Sequence, residues 1–148
     1  VYLPTESISD FALIRNTALT GAEYLGESVS RTAIRFHIES FGEAKGDLVR
    51  FLAPRTVEAL LHAMPIHGIT ATTKGMLYFG VPVKLGVEKP KTQVDQGTIA
   101  YWPLGSAVCI VLERTNPYSP VNVIGKLTEN LEMFRRAESG KRVRMERG

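Results

Sequence analysis

Between Ser30 and Glu39 the apolar residues Ile34, Phe36 and Ile38 alternate with Arg35, His37 and Glu39. A period of two is the pattern of a strand with one buried face, and it sets the theme for the rest of the chain. Residues 41–46, FGEAKG, read as a turn with Gly42 and Gly46 supplying backbone freedom, and Asp47 to Leu52 as the returning strand. GMLYFGVPVKL puts Leu77, Phe79, Val81 and Val83 on one side of a further strand, where Pro82 implies an edge or a bulge. Gly97 opens a strand through Tyr101 and Trp102, Pro103-Leu104-Gly105 breaks it, and Ala107 to Leu112 is a continuous apolar run suited to a deeply buried strand. VNVIGKL and Lys141 to Glu146 complete the series.

Two stretches carry the helical period instead. Pro54 suits a first helical turn, and Val57, Leu60, Leu61 and Met64 form an i, i+3, i+4, i+7 stripe before Pro65 and Gly68 stop it. Residues 129–138 carry Leu131, Phe134 and Ala137 on one side and end at Gly140. Seven or eight short strands at hairpin-like spacing, with no βαβ alternation, disfavour a parallel-sheet enzyme fold. They predict a mainly β protein, a closed antiparallel β-barrel with two helices capping its ends.

The length of 148 residues implies one such domain, assigned to residues 29–148. Residues 1–28 fit the pattern less well, since Gly21 and Gly26 interrupt the apolar Phe11, Leu13, Ile14 and Leu25. They are expected to be an extension packing on the barrel or on a partner copy, which keeps a homo-oligomer open. No run reaches the roughly 20 apolar residues of a membrane span, and no basic-then-apolar leader opens the sequence. A soluble, cytoplasmic protein is expected. Cys109 is the single cysteine and sits in an apolar run, so a buried, inert thiol is expected.

The formal charge is +3. The basic residues Arg135, Arg136, Lys141, Arg142, Arg144 and Arg147 are diluted by Glu132, Glu138 and Glu146 and lack interleaved aromatics. Nucleic acid is therefore not an expected partner. His37, His62 and His67 lack metal-binding spacing, Gly105-Ser106 lacks the flanking glycines of a nucleophile elbow, and no phosphate-binding glycine loop occurs. No metal and no cofactor are expected.

Three strings carry a resemblance. APRTVEALLHAM from Ala53, GTIAYWPLGSAVCIVL from Gly97 and VNVIGKLTENLEMFRR from Val121 occur in the order of similar segments in cyclophilins. The Tyr101-Trp102-Pro103 and Val121-to-Lys126 strings are closer still to small archaeal and bacterial cyclophilin-like proteins of unassigned function. The resemblance implies a cyclophilin-like barrel, and a shared fold does not confer a shared activity. Cyclophilins present an arginine and a hydrophobic proline pocket to a twisted prolyl amide. Where they carry a phenylalanine, histidine, arginine run, this chain has Met76, Leu77, Tyr78 and Phe79. A cyclophilin histidine matches Val121, the pocket phenylalanine falls near Cys109, and the pocket tryptophan has no clear counterpart in NPYSP.

The residues left to line a groove are Tyr78, Phe79, Tyr101, Trp102 and Asn122. Four of them also have a plain structural reading: strand packing for Tyr78 and Phe79, a barrel cap for Trp102, and a hydrogen bond to a loop for Asn122. The expected function is binding of a small molecule or extended peptide without efficient prolyl isomerisation. A divergent peptidyl-prolyl isomerase and a structural or oligomerisation protein are the alternatives.

Overall fold

The structure, a computed structural model, describes residues 30–148. Eight strands run in the order β1 (Arg31–Ile38), β2 (Gly42–Val49), β3 (Ile66–Thr73), β4 (Met76–Gly80), β5 (Thr98–Trp102), β6 (Ala107–Val111), β7 (Asn122–Glu129) and β8 (Arg142–Arg147). They close as an antiparallel barrel in the spatial order β1-β2-β7-β5-β6-β4-β3-β8, with β8 pairing back onto β1. Alternation along each strand sends one set of side chains inward. Ile34, Phe36, Leu77, Phe79, Ile99, Tyr101, Val108, Ile110, Ile124, Val143 and Met145 thus share one core.

The helices α1 (Pro54–Ala63) and α2 (Leu131–Arg136) extend that core. Val57, Leu60 and Leu61 enter it from α1, and Met133 and Phe134 from α2, where Phe134 meets the edge of Phe36 at a centroid distance of 5.4 Å. Helix α1 reaches the first residue of β7 through Thr56, whereas α2 begins just past its last, so the two helices serve opposite ends of the barrel.

Several boundaries differ from the sequence reading. The strand through GMLYFGVPVKL ends at Gly80 and leaves Val81 and Val83 outside it, and the second helix covers only Leu131–Arg136. The first hairpin turns at residues 39–41, where Ser40 (φ 72°) and Gly42 (φ 114°) take the left-handed conformations, and β2 already begins at Gly42. The expected extension of that strand to Leu52 gives way to a single 3-10 turn, Arg50–Leu52. Ile66–Thr73 is a full strand that the periodicity did not mark, because Gly68 and its threonines resemble a helix stop. Gly68 is small for a packing reason: a Cβ there would lie 3.0 Å from the Phe79 ring. The expected extension at residues 1–28 lies outside the described residues.

A second, smaller apolar cluster lies on the other side of the same strands. Met76, Ala100, Cys109, Val111 and Val121 form it, together with Val94 from the loop after β4, and Tyr78, Trp102 and Val123 pack at its margin. Two short bridges, Lys91 with Val121 and Val94 with Thr115, lay the 86–97 and 112–121 loops over this outer face. Strand β6 is consequently buried on both sides, all five residues of it, which is why its sequence is apolar without alternation. Burial pushes the Cys109 thiol up to about 12. In the native protein Cys109 is expected to react with a thiol reagent only at the rate of unfolding, because the thiolate is the reactive form. Labelling of the native protein within seconds would contradict this placement.

Candidate functional site

Successive residues on a strand face opposite ways, so the adjacent pairs Tyr78-Phe79 and Tyr101-Trp102 cannot line one groove. The barrel separates them. Tyr78 and Trp102 face outward and meet edge to face, with ring centroids 5.7 Å apart and planes at 83°. Phe79 and Tyr101 face inward and are fully buried in the barrel core.

Around the Tyr78–Trp102 pair the outer face opens into a groove of about 260 Å³. Thr73, Lys74 and Met76 from the β3–β4 hairpin form one side, and Asn116, Pro117 and Tyr118 the other. Tyr118 is 89% exposed, a large aromatic held out in water beside two others. Trp102 is fixed from two directions. Its indole Nε1 donates to Ser119 Oγ at 2.5 Å, and its ring lies over Gly105, where a Cβ would stand only 2.6 Å from Cε3. The glycine of the 103–106 turn therefore makes room for the tryptophan.

The inward-facing candidates have structural partners. The Tyr101 hydroxyl donates to the Val83 carbonyl at 2.5 Å and accepts from the Leu85 N–H at 3.1 Å, tying down the segment after β4. Asn122, at the start of β7, is fully buried and satisfied: Oδ1 accepts from the Glu88 N–H at 2.7 Å, and Nδ2 donates to the Gly86 carbonyl at 3.1 Å and to Thr56 Oγ1 at 3.2 Å. Helix α1 has no capping side chain at Ala53. Glu88 supplies one from the distant loop, accepting from the Arg55 and Thr56 N–H groups at 3.0 and 2.9 Å and from the Thr56 hydroxyl at 2.8 Å. Burial disfavours the Glu88 carboxylate, but these hydrogen bonds together outweigh it and hold the carboxyl below its ordinary range.

Of the positions matched to the cyclophilin site, Met76, Tyr78, Cys109 and Val121 share the outer cluster, with residues 116–118 beside it, whereas Leu77 and Phe79 turn into the barrel core. Among the described residues, neither arginine nor histidine lines the groove. Arg114 lines an adjoining depression, where Nη2 donates to Gln93 Oε1 at 2.6 Å and Nη1 lies 3.6 Å from Asp95 Oδ1. Among the described residues no group of three or more His, Cys, Asp or Glu is placed to hold a metal ion. Tyr118, Met76 and Lys74 escaped the sequence reading as groove residues. The signal for Tyr118 was its setting in NPYSP, an aromatic between prolines that cannot pack as part of a strand.

Comparison with known proteins agrees with this architecture. The sequence profile described as Cyclophilin-like matches residues 32–146. The solution structure of the hypothetical protein AF2241 from Archaeoglobus fulgidus is 30% identical with a TM-score of 0.69, over 80% of this chain and 96% of that one. McbB, solved in complex with tryptophan, shares the fold at 17% identity and a TM-score of 0.66, over 77% of this chain and 44% of that one. No curated protein matches. No helix among the described residues is long and apolar enough to cross a membrane. With its closed eight-stranded barrel and a family match spanning nearly all of it, the chain belongs to the cyclophilin-like family.

Proposed function

We propose that this chain is a binding protein whose outer-face groove takes one apolar ring of a small molecule or extended peptide, without efficient prolyl isomerisation. The observation that carries this reading is the trio of Tyr78, Trp102 and the exposed Tyr118 around an opening of about 260 Å³. That volume lies just below the usual range for drug-sized ligands, about 300–1,000 Å³, and suits a single proline or aromatic ring. Exposed aromatics lose little entropy on binding and supply most of their energy by desolvation.

Isomerisation asks for more. The amide barrier of about 18–20 kcal/mol falls when a positioned donor stabilises the twisted peptide. Among the described residues the groove offers Lys74 and Asn116 but no guanidinium, and Arg114 is engaged by Gln93 and Asp95.

Calorimetric titration with short Ala-Pro peptides and with free tryptophan, the molecule McbB holds, tests the reading. Saturable binding of at least one is expected. Tyr118→Ala should weaken it about fivefold or more, since aromatic anchors commonly contribute 1 kcal/mol or more, while stability stays within about 0.5 kcal/mol because the side chain is solvated. Trp102→Ala should weaken binding more strongly and cost less than the roughly 3–5 kcal/mol of a tryptophan deleted from a core. Isomerisation of the same peptides should keep its uncatalysed time course of tens to hundreds of seconds. Cyclophilin-like acceleration, or binding indifferent to both substitutions, would defeat the proposal.

A further inference from the structure

The opposite flank of the barrel carries a second concavity, of about 520 Å³, on the outer face of β1, β8 and β3. Phe36, Ile38, Val143, Met145 and Ile66 turn into the core from these strands, so the residues between them turn out. The register then puts His37 opposite Arg144 on one side and His67 opposite Arg144 on the other. Strands in a sheet lie about 4.8 Å apart, so three nitrogen-bearing side chains stand in a single row. Arg142 and Ile69 pair in the next row, and both line the concavity together with Glu39.

A sheet gains stability from opposite charges placed across from one another and loses it from like charges. The neighbouring row follows that rule: Arg35 Nε donates to Glu146 Oε2 at 2.7 Å. The His37–Arg144–His67 row does not, for it has no acid among its directly paired members. Arg144 Nε forms an ion pair with Glu146 Oε1 at 3.2 Å, a carboxylate already shared with Arg35, though not an aligned hydrogen bond, and His37 Nδ1 is 3.9 Å from Glu43 Oε2, beyond hydrogen-bond reach. Both nitrogens are withdrawn from water with no hydrogen-bond partner among the described residues. Among the described residues, His67 and Arg142 make no side-chain hydrogen bond or ion pair at all. Glu39 is the one acid in the lining among the described residues, against two arginines.

We propose that this face is a binding site for the oxyanion of a small organic molecule, a phosphoryl or carboxylate group. Arg142 and Arg144 offer forked donors that match such groups, and the two imidazoles close the row on either side. Ile69, 56% exposed within the concavity, gives the rest of the ligand an apolar edge. The site is separate from the aromatic groove, so either proposal stands or falls without the other.

The test is an NMR titration of the imidazole and Ile69 methyl signals with inorganic phosphate and with succinate, at ionic strength matched by chloride. Saturating shifts at His37, His67 and Ile69 with either probe are expected, and the probe that saturates identifies the oxyanion. Arg144→Gln and Arg142→Gln should each raise Kd about tenfold or more, the usual weight of a charge-assisted hydrogen bond. His67→Gln, at an exposed position, carries the comparison if an arginine variant fails to fold. Shifts that grow linearly, that chloride reproduces, or that the substitutions leave unchanged would overturn the site. So would a phosphate-dependent change in Trp102 emission, which would place the anion in the groove instead.

Discussion

Gly125→Ala is expected to prevent folding, or to leave a barrel weakened by more than about 3 kcal/mol, beyond the usual range for an overpacked core. Gly125 pairs with Leu48 of β2 on one side and with Ile99 of β5 on the other. Strand β7 carries an extra residue against each neighbour, Ile124 next to Gly125 where the register with β5 shifts between Ile99 and Ala100, and Thr128 where the register with β2 shifts between Lys45 and Gly46. A Cβ on Gly125 would overlap the Asp47 carbonyl oxygen and stand 2.9 Å from the Asp47 carbonyl carbon and 3.0 Å from Leu48 Cα. Those are backbone atoms of a hydrogen-bonded ladder and cannot rotate aside as a side chain would. Gly80→Ala is the control: nothing lies within 4 Å of its Cβ position, and a change within about 0.5 kcal/mol is expected. Urea denaturation followed by Trp102 emission compares the two. An unchanged midpoint for Gly125→Ala would show that β2 and β7 do not approach this closely.

Asn122→Ala should cost about 2–4 kcal/mol, since it leaves the Glu88 N–H and the Gly86 carbonyl without their partner and each such group costs about 1–3 kcal/mol when buried. The damage reaches α1. Releasing the 86–88 loop also loosens the carboxylate that caps the Arg55 and Thr56 N–H groups. That second effect has a pH signature. The Glu88 carboxyl titrates lower in the folded protein than in the unfolded chain, so its contribution is present above the unfolded value and is lost as pH falls through the folded one. Glu88→Gln should therefore be less stable than wild type near neutrality, and the gap should narrow in acid. Urea midpoints from pH 7 down to 3 provide the measurement. A constant gap would remove Glu88 as an ionised cap, and a native midpoint for Asn122→Ala would remove Asn122 as the tie between loop and helix.

Much of the barrel was legible because its strands announce themselves locally. The alternation of Ile34, Phe36 and Ile38, and the unbroken apolar run of β6, each translate directly into one or two buried faces. The strand Ile66–Thr73 was not legible, because Gly68 answers to the Phe79 ring, a neighbour remote in sequence. The groove was half legible. Tyr78 and Trp102 were identified with their immediate neighbours, and only the pleat separates Tyr78 from Phe79 and Trp102 from Tyr101. The row of His37, Arg144 and His67 gave no sign, since its members lie on strands from both ends of the sequence.

The sequence by itself determined the kind of element, the class of barrel and the buried thiol. These depend on local periodicity and residue type, which read along the chain. Tertiary structure alone decided which face each aromatic takes and which charges become neighbours. It also decided that a glutamate more than 30 residues away caps α1, because register and closure are set by pairing between distant strands and no window along the chain contains both partners.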